Sequence, residues 1–166
     1  EVFLERKGIP VHQNLVLPTR EGARAAGRGD LRLSACLGCG FVFNAAFDER
    51  RMSYSAGYDS NQSNSPCFRA HLEEIANHLI EAYALCGKRI VEVGCGKGDF
   101  LRLLCANRRN NGIGFDPSYT GPSTDGSVRF ETEVYGGKGR NHDADLICCR
   151  HVIEHIARPL DFLRTI

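Results

Sequence analysis

The stretch Val91-Glu92-Val93-Gly94-Cys95-Gly96-Lys97-Gly98-Asp99-Phe100 decides the fold. The run Arg89–Val93 reads as a buried strand, and it passes through three glycines at alternate positions into a helix over Asp99–Asn107. Leu101, Leu104 and Cys105 form the inward face of that helix. A strand that turns into a helix through bare backbone can bring that backbone close to a ligand and aim N–H groups at it. Asp116 follows at the end of the next strand, Gly112–Phe115, 22 residues after Gly94. A carboxylate in that place can accept hydrogen bonds from both hydroxyls of a ribose.

Downstream, Ser127–Glu131 reads as a weaker strand and Ala144–Cys149 as a strong buried one. His151–Ile156 starts a further helix, which Pro159 interrupts and restarts as a first-turn residue. Strands alternating with helices imply right-handed crossovers and a parallel sheet, so the fold class is α/β. Upstream, Ser65-Pro66 offers a cap and first turn to a helix whose apolar face is Phe68, Leu72, Ile75, Leu79, Ile80 and Tyr83, ending near Gly87. The polar segment 48–66 reads as a linker or flap, with Tyr54, Tyr58, Asn61 and Gln62 able to close over a bound ligand. Residues 1–30 read as loops with a short strand near Leu15–Leu17. Leu31–Ala35 and Phe41–Phe43 read as a hairpin around Cys36-Leu37-Gly38-Cys39-Gly40. Two domains are expected: a small β module with its linker over 1–60, and the α/β domain over 61–166.

The 166 residues suffice for one moderate core and a small appendage. A net charge of +1 offers no basic stripe for a nucleic acid. No apolar run approaches the ~20 residues that span a bilayer, no signal peptide opens the chain, and the default address is the cytoplasm. Of eight cysteines, Cys95, Cys105, Cys148 and Cys149 sit in apolar runs as small hydrophobes, and only Cys36 and Cys39 have ligand spacing. That usage indicates a reduced protein.

The glycine loop separates two ligand classes. Dinucleotide folds use G-x-G-x-x-G, but the sixth position here is Asp99, and the acidic Glu92 stands two residues before the first glycine. E-x-G-x-G-x-G resembles the first motif of class I S-adenosylmethionine-dependent methyltransferases, and Gly114-Phe115-Asp116 resembles their second. Ala144–Ile156 is similar to their fourth-strand motif, a strand followed by a leucine-glutamate-histidine-leucine sequence, so the resemblance runs from about Lys88 to the end. It implies that Glu92, Gly94, Gly96 and Gly98 hold the methionine portion, that Asp116 holds the ribose, and that Phe115 or Pro117 borders the adenine. Cys95 and Arg150 complete the implied cofactor set. The sheet it implies is Rossmann-like and partial, with strand order 3-2-1-4 of a longer 3-2-1-4-5-7-6. The apolar fourth strand would then lie at an edge, and both chain ends read as cuts.

The segment before the domain is similar to a methyltransferase subgroup that carries a small zinc-binding module and methylates sugars or other small metabolites, many at carbon. Such modules show two Cys-x2-Cys pairs, whereas Cys36 and Cys39 form one pair. Tetrahedral zinc needs four ligands. A further pair upstream of Glu1 would supply the rest, with His12 and Cys67 as in-chain substitutes. His151, Glu154 and His155 share a helical face at i, i+3 and i+4 and admit three readings. They bind a divalent metal, or His151 is the general base, or Glu154 and His155 brace the helix. The expected function is methyl transfer to a small-molecule acceptor at carbon or oxygen. The alternatives are a non-catalytic zinc-ribbon and Rossmann binding module, and a nucleotide-sugar dehydrogenase, which Asp99 disfavours.

Overall fold

The computed structural model describes residues 1–12, 15–51, 63–106, 109–136 and 143–166. The chain divides into two compact units, Glu1–Asp59 and Ser60–Ile166.

The first unit is an antiparallel meander of β1 (Val2–Pro10), β2 (Arg28–Ala35) and β3 (Val42–Asn44), with a short helix α1 (Arg20–Arg24) between β1 and β2. Leu33, Ser34 and Ala35 face Asn44, Phe43 and Val42 across the β2–β3 hairpin, so the Cys36–Gly40 segment is its turn. Three departures from the sequence reading occur here. Leu15–Leu17 forms no strand, while β1 was unforeseen because eight of its nine residues are exposed and leave no apolar alternation to read. Thr19 caps an unforeseen α1 by accepting from the Gly22 N–H. Among the described residues of this unit only Ser34 is buried, so no apolar core holds the meander together.

The second unit is built on a five-stranded sheet. Its strands are β4 (Arg89–Val93), β5 (Asn111–Phe115), β6 (Thr124–Asp125), β7 (Val128–Glu131) and β8 (Leu146–Cys149), in the order β6-β7-β5-β4-β8. All neighbours are parallel except β6, which runs antiparallel to β7. Read by connection, β7-β5-β4-β8 is the expected 3-2-1-4, and β6 adds a two-residue edge that its brevity hid from sequence reading. The fourth strand lies at the other edge, as expected.

Period-two alternation along β4 sends Ile90 to one face of the sheet and Val91 and Val93 to the other. On the first face α2 (Pro66–Ala82) contributes Leu72, Ala76 and Ile80, and α3 (Asp99–Cys105) contributes Leu101, Leu104 and Cys105. Ser65 caps α2 by accepting from the Phe68 N–H at 3.3 Å, with Pro66 in the first turn. The opposite face gathers Val91, Val93, Phe115 and Tyr135, with Phe162 of α4 (Pro159–Leu163) against them. Asn110 is fully buried and satisfied: its amide donates to the Leu85 and Leu104 carbonyls, and its Oδ1 accepts from Lys88 N–H.

The helix expected from His151 does not form. His151 takes a left-handed φ of 53°, and a single 3-10 turn, Ile153–His155, follows. The cause is tertiary: Val152 packs on Gly94, and a β-carbon there would lie 2.1 Å from its Cγ2. Likewise α3 stops at Cys105 rather than running to Asn107, and α2 ends at Ala82, well before Gly87.

Candidate functional site

The strand order reverses between β4 and β8, since the chain leaves β4 towards β5 and returns to its other side only with β8. Open α/β sheets bind ligands outside the carboxyl ends of the strands at such a switch point. Three segments meet there: the glycine turn after β4, Asp116 after β5, and Arg150-His151-Val152 after β8. Register fixes this, because Val93 pairs with Phe115 on one side and Cys149 on the other.

Gly94, Gly96 and Gly98 all take positive φ, at 71°, 56° and 81°. Crowding adds to this requirement at two of them. Val152 occupies the space beside Gly94, and a β-carbon on Gly98 would lie 2.3 Å from the Phe130 ring. The Gly94 and Cys95 N–H groups donate to the Phe115 carbonyl at 2.8 and 3.2 Å, and Gly98 N–H donates to the Cys95 carbonyl at 2.8 Å. Gly96 N–H donates to Asp116 Oδ2 at 2.7 Å. The other oxygen, Oδ1, accepts from the Ser118 N–H at 2.8 Å and hydroxyl at 2.6 Å. Asp116 therefore already ties the β5 end to the glycine turn, with three of its roughly four acceptor positions in use.

Glu92 is the outlier of the site. It is 3% exposed, buried among Ile90, Val91 and Val93 on β4. Its carboxyl accepts from the Leu101 N–H in the first turn of α3, doing the capping that Gly98 cannot. The second oxygen, Oε2, has no hydrogen-bond partner among the described residues. Burial raises its pKa to about 8; the charge of Arg150 opposes the rise, and the charges of Asp116 and Asp99 add to it.

Arg102 was missed by sequence reasoning. It donates to the Lys97 carbonyl at 2.6 Å and to Asp125 at 2.7 Å, and lies 4.9 Å over the Phe130 ring, which itself stacks on Tyr119 at 4.3 Å. It braces the glycine turn from outside. Its only sequence signal is a position four residues after Gly98, on the polar side of α3.

The remaining expected residues divide. The Cys95 side chain is buried against Gly114, and burial raises its thiol pKa, so only its backbone is offered at the turn. Phe115 also belongs to the core, edge-on to Tyr135 at 5.2 Å, and Pro117 is the exposed neighbour of Asp116. Arg150 lies over the Phe100 ring at 4.3 Å. His151 is exposed, with Nδ1 3.7 Å from Glu154. It shares no helical face with Glu154 and His155, and no cluster of three metal-ligating side chains occurs among the described residues. Tyr54, Tyr58, Asn61 and Gln62 lie outside the described residues.

In the first unit Cys36 and Cys39 are both exposed on the hairpin turn. Backbone N–H groups of Gly38 and Cys39 point at the Cys36 sulfur and lower its pKa, the environment of a metal-binding thiolate. Two thiols fill half of a tetrahedral site, His12 does not join them in a ligand cluster, and Cys67 belongs to the other unit. The described residues do not by themselves fit a zinc ion.

Residues 68–166 match the model of a methyltransferase domain family. The chain belongs to that family. No curated protein matches it. A methyltransferase domain of this kind takes its methyl group from S-adenosylmethionine, and the site fits that donor. A buried carboxyl group with an unpartnered oxygen, able to give up its proton, suits a ligand bearing an ammonium and a sulfonium, and the turn presents glycine backbone where a side chain could not fit. No helix among the described residues of this methyltransferase is long and apolar enough to cross a membrane.

Proposed function

We propose that this methyltransferase acts on a small-molecule acceptor, a sugar or another metabolite, at carbon or oxygen. The observation that carries the site assignment is Glu92, a buried carboxyl with one unpartnered oxygen directly behind the glycine turn. Glu92 takes the donor's ammonium group. Backbone at Gly94, Cys95, Gly96 and Gly98 lies along the methionine portion, Asp116 receives the ribose, and Pro117 borders the adenine. Because Asp116 Oδ1 is occupied by Ser118, the ribose hydroxyls take over the acceptor positions that Ser118 uses in the free protein.

The donor supplies an electrophilic methyl carbon: the acceptor's nucleophile bonds to it as the C–S bond breaks, and sulfur keeps the electron pair. The protein's part is alignment and desolvation, with a base where the nucleophile carries a proton. His151, exposed at the corner after β8 and held off its ordinary backbone region by the packing of Val152, is that base. Support for a small acceptor comes from the similarity of the Cys-x2-Cys-Gly module to sugar and metabolite methyltransferases, and from a net charge of +1 that provides no surface for a polyanion.

The first unit has no buried apolar side chain among its described residues, and a unit of that size commonly needs a metal or disulfide staple. Zinc on Cys36 and Cys39, with two further ligands from outside the described residues, would serve. Zinc assay of the purified protein before and after Cys39→Ser tests this, and a metal-free preparation with an ordered meander rejects it.

The acceptor class is tested with methyl-labelled S-adenosylmethionine and a cell extract fractionated by size. Label in the small-molecule fraction, reduced roughly 10²–10⁴-fold in His151→Asn, is the expected result. Label confined to protein or nucleic acid would overturn the acceptor class, and full turnover in the variant would remove His151 as base.

A further inference from the structure

We infer that the first unit holds a binding site of its own, a cavity that takes a small molecule with an oxyanion, carboxylate or phosphate, on an apolar body. The inference does not rest on the cofactor site, since every residue lining the cavity belongs to the first unit.

The cavity lies beside a fault in strand pairing. Arg6 pairs with Leu31 and Ile9 with Gly29, so Lys7 and Gly8 of β1 together stand opposite Asp30 of β2. Gly8 takes a positive φ of 61° there, and its N–H donates to Asp30 Oδ1 at 3.0 Å. Around this bulge the end of β1, the start of β2 and the chain leaving β3 enclose about 400 Å³, within the range of small-ligand pockets. Ile9, Val11 and Leu31, all half-buried, and Phe47, 39% exposed, line this space. The unit has no buried apolar side chain among its described residues, so these four find no core to enter. An apolar body seated in the cavity takes them out of water.

The polar groups of the lining are unevenly used. Arg28 Nη1 donates to the Gly8 carbonyl and Arg51 Nη1 to the Arg28 carbonyl, each at 2.6 Å. Arg51 Nε donates to Asp48 Oδ2 at 3.2 Å. Among the described residues Arg28 therefore uses one of its five N–H donors and Arg51 two. The acceptors are mostly taken. Both Asp48 oxygens are held by Arg50 and Arg51, Asp30 Oδ1 by Gly8, and Asn44 Oδ1 by the Arg32 and Ala46 N–H groups. Arg28, Arg50 and Arg51 stand against Asp30 and Asp48, which leaves one positive charge in excess. The backbone carbonyls already hold Arg28 and Arg51 in place, so binding orders them little further. Spare donors and positive charge next to an apolar wall complement an oxyanion carried on an apolar body.

The test titrates phenyl phosphate and benzoate into the full chain, followed by amide NMR, with inorganic phosphate and benzyl alcohol as controls. Saturable shifts should appear at the Gly8, Gly29 and Ala46 amides and not at the Gly94–Gly98 turn. The tighter of the two aromatic anions identifies the oxyanion as phosphate or carboxylate, and each control should bind roughly tenfold more weakly than it. Arg28→Gln and Arg51→Gln should each weaken that anion roughly fivefold or more, with partial recovery in Arg28→Lys and Arg51→Lys and an unchanged affinity for S-adenosylmethionine. Absence of saturable shifts in the first unit with both anions overturns the inference, and so does benzyl alcohol binding as tightly as either. Both of these results are read on wild type and stand even if the variants fail to fold. Inorganic phosphate binding as tightly as phenyl phosphate overturns the apolar seat, and undiminished binding in Arg28→Gln and Arg51→Gln overturns the role of the two arginines.

Discussion

Replacing Glu92 by glutamine should change how stability depends on pH. The folded protein holds this carboxyl protonated up to about pH 8 because it is buried, against an ordinary value of 4.5. Between those two values the folded state binds a proton that the unfolded chain has released, so stability falls as pH rises across the window and levels off above about 8. At 1.36 kcal/mol per pH unit, the full span costs at most about 4–5 kcal/mol, and relaxation around the carboxylate will lower that. Glu92→Gln keeps the shape without the titration. Urea denaturation from pH 5 to 9 should show the variant gaining on wild type by about 2–4 kcal/mol towards the alkaline end. Cys105 and Cys148 titrate near 11 and 12, and the pKa values of Asp48 and Asp145 are lowered, away from the window; the Cys36 thiol, lowered from its ordinary value, is common to both proteins and cancels in the comparison. Parallel pH profiles for the two proteins would refute the buried, partnerless state of Glu92. The same carboxyl should release a proton when the donor's ammonium binds near neutral pH, read as a binding enthalpy that depends on the buffer's ionisation enthalpy.

Other substitutions probe the turn. Gly94→Ala combines a φ of 71° with a β-carbon 2.1 Å from Val152, and should cost roughly 2–5 kcal/mol in chemical denaturation. Val152→Ala in the same chain should return only the crowding part of that loss. Asp116→Asn weakens both the hold on Gly96 and the ribose contact, and should reduce S-adenosylmethionine affinity at least tenfold by calorimetry. Ser118→Ala removes a competitor for the same carboxylate and should leave affinity unchanged or raise it a few-fold; a large loss would mean that Ser118 itself touches the ligand.

The α/β unit was legible because its decisive features are local. Three glycines at alternate positions, an acid before them and an acid after the next strand are demands of backbone geometry and charge that no distant contact has to supply. What escaped depended on distant contacts. β1 contains Glu5, Arg6 and Lys7 beside Phe3 and Leu4, and it is a strand only because β2 pairs with it. The His151–Ile156 segment has helical periodicity, but the packing of Val152 on Gly94 breaks it at its first residue. In the site, residue type identified Glu92 and Asp116, yet not that Asp116 is already engaged by Gly96 and Ser118. Phe115 and Cys95 follow the motif in sequence while their side chains serve the core. Arg102 was invisible because its partners, Lys97, Asp125 and Phe130, come together only through the crossovers.

The assignment of the glycine turn to S-adenosylmethionine is tested most directly by one titration, S-adenosylmethionine into the purified chain with NAD as the competitor. It predicts saturable binding at one site per chain, weakened at least tenfold in Asp116→Asn and indifferent to NAD. Failure of S-adenosylmethionine to bind, or its displacement by NAD at comparable concentration, would contradict the assignment of the glycine turn.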